Sequence, residues 1–141
     1  MTCSWSRREA LALMVAFAGC GRHAARCAFC GMPIDPKSPW NADLVLSAGE
    51  KQAFDSPRCA LLAWRTGRVD AKSLLVLDYY DRVWSDGADV LFVTSSDVIG
   101  PMGPDLVPVD PARAPQFARE HAGTRPLPLA AVTLELLEEL H

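Results

Sequence analysis

No run of lysine and arginine occurs in the 141 residues, and the formal net charge is −3. Nucleic-acid binding needs a clustered positive field, so that class of partner is excluded. Long apolar runs are missing too. The stretch Ala10–Ala16 falls well short of the roughly 20 residues a membrane-spanning helix requires. No serine–histidine–acid set, glycine-rich phosphate loop or carboxylate pair stands out, which leaves the chain without the usual marks of an enzyme. Cys27 and Cys30 form a C-x-x-C with no second pair after it, so a four-cysteine structural zinc site is not available. Gly31 stands where covalent haem attachment needs a histidine. Pro33, Pro36 and Pro39 follow closely, so Cys30 cannot readily open a helix as the thiol of a thioredoxin-like enzyme does.

What is present begins at the amino terminus. Arg7 and Arg8 precede the short apolar stretch, and Phe17-Ala18-Gly19-Cys20 follows it. A basic start, an apolar middle and small residues before a cysteine read as a lipoprotein export signal over residues 1–19. Ser6-Arg7-Arg8 hints at twin-arginine export, although Ala10 replaces the phenylalanine that such signals carry. On this reading Cys20 becomes the lipid-bearing first residue of a protein anchored in the bacterial envelope and facing the periplasm. Attachment would come from lipid, because the remaining chain is acidic. Residues 20–26 read as a tether.

Export sharpens the cysteine arithmetic. Cys3 leaves with the signal and Cys20 carries the anchor, so Cys27, Cys30 and Cys59 remain. An odd number is a poor disulfide framework and points to a metal site or a reactive thiol. Met32 lies two residues after Cys30, across a glycine that lets the backbone bend. Met102 sits between Pro101 and Gly103, a loop signal and not an apolar stripe. Thiolates and thioethers together suit a soft monovalent ion, Cu(I), over most other biological metals. Cys59 should lie in the first turn of a helix, where the dipole favours thiolate.

Length and a hydrophobic fraction of 50% allow one ordinary domain with a core. Alternation predicts strands at residues 41–47 and 51–54. Asp55 or Ser56 caps a helix through Leu61, Leu62 and Trp64, with Pro57 in its first turn and Gly67 ending it. Residues 74–80, 90–94 and 106–109 read as further strands, with Pro108 marking an edge. A second helix should run from Asp110-Pro111 to His121, with Gly123 after it, and residues 134–140 form a closing amphipathic helix. A short edge strand is expected at 127–129. The two halves echo each other, since Asp55-Ser56-Pro57-Arg58 and Asp110-Pro111-Ala112-Arg113 each precede a helix. The expected class is α+β, two small ββαβ units (about 27–82 and 83–125) sharing one core, followed by a tail over 126–141.

Cys30-Gly31-Met32, the strand end Phe54-Asp55, Val90-Leu91-Phe92-Val93 and Pro101-Met102-Gly103 together resemble the NosL family, accessory lipoproteins of nitrous oxide reductase. The resemblance covers roughly residues 27–125. It implies a membrane-anchored periplasmic Cu(I) protein that supplies copper to that enzyme during denitrification, built from two strand–strand–helix–strand units. Cys30 and Met32 match the family's first motif and Met102 its second. Cys27 and Cys59 match only part of the family. Asp35-Pro36-Lys37 stands where many members carry a histidine.

The expectation is therefore a metallochaperone in which Cys30, Met32 and Met102 bind Cu(I), with Cys27 or Cys59 as an additional or transferring thiolate. Its partners would be a cuproenzyme client, that client's membrane assembly machinery, and the membrane itself. Two other readings stay open. One is a thiol–disulfide protein using Cys27 and Cys30. The other is a scaffold lipoprotein whose sulfurs only pack.

Overall fold

Two three-stranded arrangements with the same connectivity organise residues 24–140, the span described by the computed structural model. In the first, β1 (Ala42–Leu46) is central and pairs antiparallel with β2 (Lys51–Phe54) and β3 (Ala71–Leu77), and α1 (Pro57–Arg65) lies between β2 and β3 in sequence. In the second, β5 (Leu91–Val93) is central and pairs antiparallel with β8 (Val107–Val109) and β9 (Leu127–Pro128), with α2 (Ala114–Glu120) between those two. The pattern is strand–strand–helix–strand twice over. Two additions decorate it. β4 (Trp84–Asp86) extends the first sheet to the order β2-β1-β3-β4, and a small hairpin of β6 (Ile99–Gly100) and β7 (Gly103–Pro104) interrupts the second unit. A 3-10 turn (Leu129–Ala131) and α3 (Leu134–Glu139) close the described chain.

Local sequence explains most of these boundaries. Ala42 and Leu44 are fully buried while Asp43 and Val45 are not, which is the period of two expected of a strand with one face inward. Ser56 caps α1 by accepting from the Cys59 amide at 3.2 Å, Pro57 occupies the first turn, and the chain leaves through Gly67 at φ +73°. Pro108 sits on β8, an edge strand, where its missing N–H interrupts nothing.

β3, α2 and β4 depart from the sequence expectation. β3 stops at Leu77 and does not run to Tyr80, because Asp78 Oδ1 accepts from the amides of Tyr80 and Asp81 and turns the chain. Asp110 acts similarly. Its Oδ1 accepts from the Ala112 amide and its carbonyl from Arg113 and Ala114, so α2 begins only at Ala114. β4 was not anticipated, since three residues carry too little periodicity to read.

The interior shared by the two units is one large cluster. It joins Ala42, Leu44, Phe54, Leu61, Leu74 and Val76 of the first unit to Val90, Phe92 and Leu106 of the second, and α3 adds Leu137. A smaller cluster of Val93, Val107, Val109, Ala114 and Phe117 lies on the other side of β5 and β8. Successive residues on β5 thus serve opposite faces, Phe92 one and Val93 the other. Among the described residues no helix is long and apolar enough to cross a membrane. The expected export signal, Cys20, His23 and His141 lie outside the described residues.

Candidate metal centre

The loop from Cys27 to Met32 is closed upon itself. The Cys27 amide donates to the Met32 carbonyl at 2.8 Å, and the Gly31 amide donates to the Cys27 carbonyl at 2.9 Å. Gly31 adopts φ +77°, a conformation that a residue with a Cβ rarely takes. Outside the loop, Arg26 and Pro33 form an antiparallel bridge and the Arg26 guanidinium donates to the Gly31 carbonyl at 2.9 Å. Arg68 lies over the Phe29 ring at 4.8 Å. The loop is thereby fixed against the first unit, with Cys27 buried in the large cluster and Cys30 packed at its margin.

The other half of the site comes from the junction of β2 and α1. Asp55 and Ser56 are adjacent cap candidates, and Ser56 is the one whose side chain caps the helix. Asp55 is therefore free to turn elsewhere. It is 4% exposed, and its Oδ2 accepts from the Cys30 thiol at 3.3 Å. Cys59, in the first turn of α1, is 5% exposed. The sulfurs of Cys27, Cys30 and Cys59 and a carboxylate oxygen of Asp55 all lie within 4.8 Å of one another. Metal–sulfur bonds of about 2.3 Å put ligand sulfurs roughly 4 Å apart, so closure on an ion needs a contraction of less than about 1 Å. The three thiols are free and not joined as a disulfide.

The electrostatics divide the three thiols. Cys27 receives the Cys59 thiol and the main-chain N–H groups of Cys30 and Asp55, which outweigh its burial and hold its pKa down at about 6. Cys59, as the donor to that thiolate and a buried group, is pushed strongly up. Cys30 is raised to about 11, first by burial, although the Met32 amide favours its thiolate. The surroundings therefore favour the thiolate at Cys27 and the protonated thiol at Cys59 and Cys30. Asp55 Oδ1 is buried with no hydrogen-bond partner. A buried acceptor left open costs free energy, and here it lies beside three sulfurs. This arrangement fits a positive ion.

Residues 22–137 match the sequence profile of NosL. The chain belongs to the NosL family. Its fold is similar to that of a solved structure, the copper chaperone NosL from Shewanella denitrificans, with a TM-score of 0.68 and 19% identity over 78% of this chain and 90% of that one. None of the curated proteins matches the chain in sequence.

Against this NosL frame the five sulfur residues named from sequence divide into two groups. Cys27, Cys30 and Cys59 converge. Met32, at the end of the same loop, is 47% exposed, and Met102 stands at the tip of the β6–β7 hairpin, 51% exposed. His121 is engaged with Asp97 at 2.8 Å and stacks on Phe117, so it serves the smaller cluster. Asp55 is the member of the cluster that the sequence did not single out. The available signal was two cap candidates in a row, since one helix needs only one.

Proposed function

We propose that this protein is a lipid-anchored, periplasmic Cu(I) metallochaperone that delivers copper to a cuproenzyme, with nitrous oxide reductase as the client. The observation that carries this reading is the convergence of three cysteine sulfurs and Asp55 within 4.8 Å in a NosL-family chain. The solved relative's description as a copper chaperone supports it, as does the soft donor set. The lipobox at Cys20 supplies the anchor, which raises the effective concentration near membrane-bound assembly partners.

Copper is the cargo, and the residues differ in how they would handle it. Cys27 and Cys59 are buried, so they would hold the ion away from water. Cys30 is half-buried, and Met32 and Met102 are exposed. Neutral thioethers bind more weakly than thiolates and suit the points of entry and exit. An incoming ion meets the methionines first and displaces the protons of Cys30 and Cys59 as it settles, because metal ligation requires thiolate. Release reverses the order when a donor on the client attacks from the exposed side. This is transport, and no bond in a substrate is made or broken.

Anaerobic Cu(I) titration against a competing chelator tests the reading. Cys30→Ala and Met102→Ala should each lower affinity or speed release. Unchanged copper binding in both variants removes it. The proximity of the thiols also favours a thiol–disulfide reading. However, Cys27, the thiol whose surroundings favour the thiolate, is 3% exposed, and an exchange catalyst needs a thiolate that a partner disulfide can reach. Disulfide exchange without copper at a rate well above that of a free thiol would favour that alternative.

A further inference from the structure

The three cysteines and Asp55 lie on the first unit, and Met102 lies on the second. Something must set the distance between them. The β6–β7 hairpin has the register Ile99↔Pro104 and Gly100↔Gly103, so Pro101-Met102 is its tip and Asp105 its foot. Asp105 is 2% exposed. Its Oδ1 accepts from the main-chain amide of Arg58 at 2.9 Å, inside the first turn of α1, and from its own neighbour Leu106 at 2.8 Å. In the same turn, the Ser56 hydroxyl accepts from the amide of Cys59 at 3.2 Å. The foot of the Met102 hairpin is thus hydrogen-bonded directly to the first turn of α1, at the residue that precedes Cys59 of the cluster.

Two further observations tighten the link. Three residues of chain reach at most about 10 Å, so Met102 cannot wander far from the foot that holds it. Gly100 lies directly against Asp105, and a Cβ added there would sit 2.9 Å from the Asp105 Cβ. The hairpin closes over the carboxylate only because that position is glycine.

We infer that Asp105 is a positioning residue, which fastens the Met102 hairpin to the amino-terminal turn of α1 and so holds the thioether where copper enters the thiol cluster. This inference rests on the copper-carrier reading and adds to it the residue that couples the two units.

The experiment is a double-mutant cycle on the full mature protein, read as the rate of Cu(I) transfer to a chelator and as the thioether contribution in X-ray absorption. Wild type and Met102→Ala are compared first. If wild type binds no Cu(I), the carrier reading itself has failed. If wild type binds and Met102→Ala differs, Asp105→Ala and Gly100→Ala should change the transfer rate in the same direction as Met102→Ala, by on the order of tenfold. They should also lower the thioether contribution to the extent that Met102→Ala does. Added to Met102→Ala, neither should have a further effect. Asp105→Asn keeps the oxygen that accepts from Arg58 and Leu106, so it should retain wild-type transfer. Asp105→Ala with wild-type transfer and an intact thioether signature overturns the inference. So does an effect that adds fully to that of Met102→Ala. Should Asp105→Ala fail to fold, Gly100→Ala and Asp105→Asn decide by the same readouts.

Discussion

The Cys30 thiol donates to Asp55 Oδ2, and the other oxygen of that carboxylate is buried without a partner. A hard oxygen donor in a soft sulfur cluster bears on metal choice. Zinc accepts carboxylate and thiolate together, whereas Cu(I) takes its affinity from sulfur. Asp55→Ala should therefore weaken zinc binding at least tenfold, a loss of about 1.4 kcal/mol, and leave Cu(I) affinity within about threefold. Parallel competition titrations with the two metals measure this. An equal loss for both would make the carboxylate a requirement for copper as well.

The Cys27 thiolate gives a second prediction. Thiolate ultraviolet absorbance of the metal-free, reduced protein should appear with a first midpoint near pH 6 and a later one near pH 11, from Cys27 and Cys30. Cys27→Ser should abolish the first. The linked effect on stability follows from the direction of the shift. Between about 6 and the ordinary thiol value of 9.0 the unfolded chain binds the extra proton, so Cys27 contributes stability above that window and loses it as pH falls through about 6. Cys30 acts oppositely, and its contribution falls as pH rises from 9.0 towards 11. A single-step titration at the ordinary thiol pKa contradicts the proposed hydrogen bonds to Cys27.

Much of this fold was legible because its signals are local. Ser56-Pro57 and Gly67 bracket α1, and the alternation of Ala42 and Leu44 with polar or outward residues marks β1. The echo between the halves corresponds to two sheets with a central strand and the same connections. The three cysteines could be singled out by counting. What could not be read depends on contacts distant in sequence. Asp55 looks like a cap until Ser56 is seen to fill that role. Asp105 looks like an ordinary turn residue until its bond to Arg58, across 47 positions, is known. The two-residue strands β6 and β7 have no period to detect, and Asp78 ends β3 through a side-chain turn that competes with an otherwise apolar run.

Gly31 supplies a third prediction. Nothing lies within 4 Å of a Cβ built there, so Gly31→Ala meets no clash. The cost is conformational, because φ is +77° and an L-residue pays about 1 kcal/mol or more in that region. The variant should fold, lose about that much stability in urea, and bind Cu(I) more weakly, since strain in the Cys27–Met32 loop disturbs two of the three thiols. A variant that loses stability but keeps full copper affinity would show that the loop's turn serves the fold and not the site.

Asp105 gives the last prediction, and its sign is opposite to that of most carboxylates. Burial raises its pKa from 3.8 to about 6, against the hydrogen bonds from Ser56, Leu106 and Arg58 that favour the charged form. Between those two values the folded protein binds more protons than the unfolded chain, so stability falls as pH rises. A shift of this size corresponds to roughly 3 kcal/mol. Asp43, raised by burial, works in the same direction, so the comparison should be with a variant and not with an absolute curve. Asp105→Asn removes the titration and keeps the acceptor oxygen. Urea unfolding from about pH 4 to pH 7 should show the variant gaining on wild type as pH rises, by about 2–3 kcal/mol at neutral pH. If the two curves stay parallel, the buried carboxylate is not strained by ionisation, and its bonds to the Arg58 and Leu106 amides fully compensate its burial.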